Sequence, residues 1–164
     1  MKKQEKIVEQ IYNSYLTIGF VKRYNTLFHR FDLNLDEIMT RMDKKENLKV
    51  MSELGYKFKI FTPGQHYNYK EISDDVKLVL SCQISKGMVF PYIYIYIKNQ
   101  KIDYQESLSF IYRHLINNMN APANALLFRN YEDLKEIMAS VIAIYEDLKK
   151  EFLKRLDESN LLEK

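Results

Sequence analysis

Residues 76–99 read VKLVLSCQISKGMVFPYIYIYIKN, and the fold turns on how this stretch is read. Val76, Leu78, Leu80, Cys82 and Ile84 alternate with Lys77, Ser81 and Gln83; beyond Lys86-Gly87, Ile93, Ile95 and Ile97 alternate with Tyr92, Tyr94 and Tyr96. Successive side chains of a strand point to opposite faces, so a period of two with one apolar set predicts two half-buried strands joined by a short turn. The isoleucines have the stronger claim on the core, because burying the other set would demand hydrogen-bond partners for three phenol hydroxyls.

Upstream, Tyr56, Phe58 and Ile60 alternate with Lys57 and Lys59 until Pro63-Gly64 ends the run, which predicts a first strand and hence a three-stranded antiparallel meander. Residues 63–75, with His66, Tyr67, Tyr69, Glu71, Asp74 and Asp75, read as a polar loop. Before the sheet the period is near 3.6. Residues 5–31 carry Val8, Ile11, Tyr15, Phe20, Tyr24, Leu27 and Phe31 at helical spacing, with Gly19 marking a kink or a close helix contact. Asn34 and Glu37 form a capping-box pattern that predicts a second helical region, running through Ile38, Met39, Met42, Leu48, Met51 and Leu54 to Gly55.

Downstream, Asp103 and Glu106 predict the start of a further helix that runs through Leu108, Ile111, Tyr112, Leu115 and Met119 to Asn120. Residues 124–129 read as a fourth strand, and Asn130 caps a final helix over residues 131–157. The reading is therefore α+β: a four-stranded, mainly antiparallel sheet with helices packed mostly on one face, in the order α-α-β-β-β-α-β-α, ending in a long C-terminal helix. Leu78, Leu80, Ile93, Ile95, Ile111, Leu115, Ile137 and Val141 should share its core. A length of 164 residues without linker or repeat predicts a single domain over residues 1–164.

Composition narrows the function classes. A formal charge of +3 is too small by itself to imply nucleic acid, so the clustering of the cations has to decide. One cysteine, Cys82, cannot form an internal disulfide and fits a buried strand position. The chain has no apolar run of membrane-spanning length, since residues 88–97 are too short and are broken by Pro91, and no secretory signal; this predicts a cytoplasmic protein without membrane contact. His29, His66 and His114 lack nearby ligand partners in sequence, and phosphate-cradling or nucleophile-elbow patterns are missing, so neither a metal, a cofactor nor a catalytic set is expected.

Strand alternation points instead to a surface. With the isoleucines inward, Lys57, Lys59, Lys77, Ser81, Gln83, Tyr92, Tyr94 and Tyr96 share the opposite face, with Arg129 joining them: an aromatic stripe flanked by cations. Tyrosine in strands is ordinarily structural, through cross-strand pairs or cover by a helix. Exposed, it suits a protein interface, since it offers a large amphipathic area at low side-chain entropy. The leading expectation is a non-enzymatic, protein-binding inhibitor or adaptor, such as a bacterial toxin-immunity protein or a phage counter-defence protein. An RNA- or single-strand-binding module using the same face is the alternative. A third class is an enzyme built around the loop candidates His66, Tyr67 and Tyr69, with His66 as general acid or base.

Overall fold

The computed structural model describes residues 2–61, 65–73, 75–123 and 125–163. The Pro63-Gly64 break, Asp74 and the first residue of the expected fourth strand, Asn124, lie outside them.

The chain opens with α1 (Lys3–Thr17) and α2 (Phe20–Arg30). They are two helices rather than the single kinked one expected. Gly19 sits at φ +69°, a left-handed conformation that costs glycine little, and it ends α1 and redirects the chain. The second helical region expected from Asn34 to Gly55 forms only in its later part, and its start at Asn34 is not helical. Asn34 and Glu37 do bond to each other, side chain to side chain at 3.1 Å, but within a turn, and the next peptide is claimed elsewhere, where the Met39 N–H donates to the Phe128 carbonyl at 3.0 Å. The working cap is Asp43, whose carboxylate accepts from the Lys45 N–H at 2.8 Å and starts α3 (Lys44–Glu53).

Six strands follow where four were expected: β1 (Lys59–Phe61), β2 (His66–Ser73), β3 (Val76–Ser85), β4 (Met88–Ile97), β5 (Gln100–Lys101) and, after α4 (Leu108–Leu115), β6 (Leu126–Leu127). All neighbours are antiparallel, in the order β1-β2-β3-β4-β5, with β6 also on β4. The additions are β5 and β2, and β2 occupies most of the stretch read as a loop. It escaped because its inward face is Tyr67, Tyr69 and Glu71, whose polar atoms are satisfied by tertiary partners. The Tyr67 hydroxyl accepts from Asn47 Nδ2 at 2.9 Å, and Glu71 pairs with both Tyr69 and Lys149.

The long helix α5 (Tyr131–Glu158) packs on α1, α3 and the inner face of β3, while α4 covers β4. At about 1.5 Å per residue α5 extends roughly 40 Å. Tyr145 ties it to the sheet by donating to the Leu78 carbonyl at 3.2 Å. Of the expected core residues, Leu78, Leu80, Ile93, Ile95, Ile111, Ile137 and Val141 are buried in one cluster, and Leu115 packs against it half-buried. Cys82 is buried among them, and burial pushes its thiol well up.

The start of α5 carries an acid-sensitive contact. Asn130 accepts from the Asp133 N–H at 2.8 Å, and Asp133 accepts from the Arg129 guanidinium at 2.8 and 3.1 Å. These Arg129 bonds hold the Asp133 carboxyl below its ordinary value of 3.8, against the upward push of burial. A folded-state value below the unfolded one gives a stabilisation that is complete above the unfolded value and lost as pH falls through the folded one. Stability is thus expected to decline as pH drops below about 4, and Asp133→Asn should flatten that part of the profile while lowering stability at neutral pH. Chemical denaturation across the acid range checks this; parallel profiles for the two proteins would remove Asp133 from the responsible groups.

Candidate binding face

The register places the outward side chains in four rows across the sheet: Phe61-His66-Gln83-Phe90, Lys59-Asn68-Ser81-Tyr92, Lys70-Val79-Tyr94 and Ile72-Lys77-Tyr96-Lys101. None of these residues is acidic. The helices lie on the other side, and the outward face is open enough to leave Phe61 49% and Ile72 72% exposed. Tyr92, Tyr94 and Tyr96 point away from the helical layer, as the period of two requires, and are half-buried among their neighbours.

These neighbours are cations and other rings. The Tyr92 and Tyr94 rings are nearly parallel, with centroids 6.2 Å apart. The Lys77 ammonium sits 4.3 Å from the Tyr96 centroid and that of Lys101 sits 4.8 Å from that of Tyr94. Contacts of this kind contribute about 0.5–1 kcal/mol at exposed sites and fix the lysine chains over the rings. Lys101 is also paired with Glu106 at 3.0 Å, a hydrogen bond that raises its pKa and keeps it charged. Burial, with the Glu106 charge nearby, pushes the Tyr94 hydroxyl up, so it remains a protonated donor at neutral pH.

Beside the tyrosines the sheet is concave. A depression of about 430 Å³ is lined by Lys57, Lys59, Lys70 and Lys77 around Asn68, Val79, Tyr94 and Tyr96. Among the described residues none of these four lysines forms an ion pair, whereas Arg23, Arg30, Lys135, Lys149 and Arg155 elsewhere each meet a carboxylate.

Lys57, Lys59, Lys77 and the three tyrosines thus come together as expected from the sequence. Arg129 does not join them. It follows β6, which runs antiparallel to β4 and carries the chain past Met88, away from Tyr92 and Tyr96; its guanidinium is committed to Asp133. Lys70 and Lys101 belong to the face but were missed, because β2 and β5 were not read as strands. Alternating aromatics at Tyr67 and Tyr69 were the available signal for β2.

The loop candidates also separate. His66 opens β2 on the outward face and pairs with Gln83, Tyr67 is buried beneath the sheet, and Tyr69 packs inward against Tyr56, Phe58 and Tyr145. Asp75 lies beyond the far end of β2, on the order of 20 Å from His66 at about 3.3 Å per strand residue. The near polar neighbour of His66 is Ser81, whose Oγ is 3.4 Å from Nδ1 and is buried. That contact is long, with no carboxylate in the outward rows to orient the ring. His114 stacks on Tyr12 at 4.5 Å, and among the described residues no three His, Cys, Asp or Glu side chains are grouped to hold a metal ion. No described helix is long and apolar enough to cross a membrane. Comparison with protein-family models, curated proteins and solved structures finds no match to this chain.

Proposed function

We propose that this protein acts by binding another protein through the open face of its sheet, as an inhibitor or adaptor without chemistry of its own; neutralising a toxin or a defence factor in a bacterial or phage setting is the role that fits such a device. The observation that carries this reading is a rigid sheet face combining three aligned tyrosines with unpaired lysines. Tyrosines held on a strand lose little entropy on binding, and central aromatics dominate interface energetics.

Base stacking by RNA or a single DNA strand is the competing use of such a face. The lysine positions favour the protein reading. A base seeking Tyr94 or Tyr96 must compete with the ammonium groups already over those rings, so a partner meets phenol edges, hydroxyls and cations rather than free aromatic faces.

Tyr94→Ala is expected to weaken partner binding by about 1–2 kcal/mol, roughly five- to thirtyfold, while changing thermal stability little. Co-purification from the natural host followed by calorimetric titration of the isolated pair measures it. Unchanged affinity in the folded variant would exclude the sheet face as the interface.

A further inference from the structure

The charge of this molecule is distributed unevenly, and the imbalance names the chemistry of what binds. Five lysines surround the open face, Lys57, Lys59, Lys70, Lys77 and Lys101, while among the described residues Glu106 beside Lys101 and Asp75 near Lys77 are the acids at its edge; that local excess matches the formal charge of the whole chain, +3. The rest of the protein is therefore close to neutral, and its cations are interleaved with acids, Arg23, Arg30, Arg129, Lys135, Lys149 and Arg155 each meeting a carboxylate. Four like charges around one depression repel one another, and a bound anion relieves that repulsion.

We infer that the depression receives an acidic segment of the partner protein, whose carboxylates meet Lys57, Lys59, Lys70 and Lys77. This inference rests on the protein-binding reading above and specifies its partner. The dimensions agree. The depression crosses four strands, from β1 to β4, so at a strand spacing of about 4.8 Å it spans roughly 14 Å, the length of four extended residues or nearly three helical turns. Lysines on adjacent strands are then about as far apart as carboxylates one helical turn apart. The floor is Val79 with the edges of Tyr94 and Tyr96, which accepts the aliphatic stems of glutamate chains and supplies phenol donors to their oxygens.

Nucleic acid is the other polyanion to test. The probes are a fluorescein-labelled peptide with six glutamates among alanines, its glutamine counterpart and a twelve-nucleotide oligo-dT, titrated by anisotropy against the full chain at low and physiological salt. The glutamate peptide is expected to bind, and the glutamine peptide and oligo-dT to bind at least about tenfold more weakly. Lys57→Gln/Lys70→Gln, at two exposed positions without ion pairs, should weaken the glutamate peptide by about five- to thirtyfold, whereas Lys135→Gln on the helical side should not. Equal binding of the two peptides, indifference to Lys57→Gln/Lys70→Gln, or tighter binding of oligo-dT would each overturn the inference. The native partner separates the two readings. If its affinity falls with Tyr94→Ala but not with Lys57→Gln/Lys70→Gln, the face is an interface and the acidic segment is wrong; if neither change matters, both fail.

Discussion

Truncating Leu80 to alanine is expected to lower the free energy of unfolding by about 2–5 kcal/mol. Leu80 is fully buried at the centre of the sheet, between Tyr69 of β2 and Ile93 of β4 and under the helical layer. Its neighbours are held by strand ladders on both sides, so the vacated space collapses only partly and the cavity adds to the lost burial. Small domains are stable by about 5–15 kcal/mol, which makes this a large fraction of the total. Val79 is the control. One residue away but on the open face, it should lose under about 1 kcal/mol on truncation to alanine, because little of its surroundings is packed. Urea unfolding of both variants reads the difference, and similar losses would mean that the two faces of β3 are not distinguished as described.

That contrast is the part of the fold the sequence states most directly. In β3 and β4 most of the apolar residues fall on one side, Val79 and Phe90 being outward exceptions, and burial follows the same period along both strands apart from Ser81. The last helix was equally legible, because Asn130 caps it and its apolar positions recur over many turns. What could not be read depended on partners distant in sequence. Asn34 and Asp43 both carry capping side chains, but a backbone bond from Met39 to Phe128 decides which one starts a helix. Gly19 is compatible with a kink or a break, and its positive φ settles it.

The site followed the same division. Tyr92, Tyr94, Tyr96 and Lys77 were placed by alternation alone, since their strands were recognised. Lys70 was lost with β2, whose inward Glu71 looks like an exposed loop acid until Lys149 of α5 is seen beside it. Burial pushes the Glu71 carboxyl up, but the Lys149 and Tyr69 hydrogen bonds outweigh it and hold the group below its ordinary value, so it is a charged member of the helix–sheet junction. Arg129 was assigned to the face because its segment reads as a strand; only the strand direction shows that it leads away.

Gly87→Ala is expected to destabilise the protein by about 2–5 kcal/mol, combining roughly 1–3 for a left-handed non-glycine residue with a similar amount for overpacking. The hairpin between β3 and β4 turns through Lys86 and Gly87, at φ +46° and +72°, as a tight two-residue connection requires. Lys86 shows that a side chain can be carried there when it points to solvent. Gly87 is different, because a Cβ on it would lie 2.8 Å from the Cβ of Ile38 and from the backbone N and O of Met39. Those atoms cannot simply step aside. The Met39 N–H is bonded to the Phe128 carbonyl at 3.0 Å, and the Phe128 N–H in turn donates to the Gly87 carbonyl at 2.9 Å. A methyl group at residue 87 therefore forces apart the hairpin, the segment after α2 and the chain leading into α5. Lys86→Gly, which only relaxes the neighbouring positive φ, should leave stability within about 1 kcal/mol of the parent. Urea unfolding of the two variants tests the arrangement, and a Gly87→Ala protein as stable as Lys86→Gly would show that residues 38 and 39 are not seated on the turn.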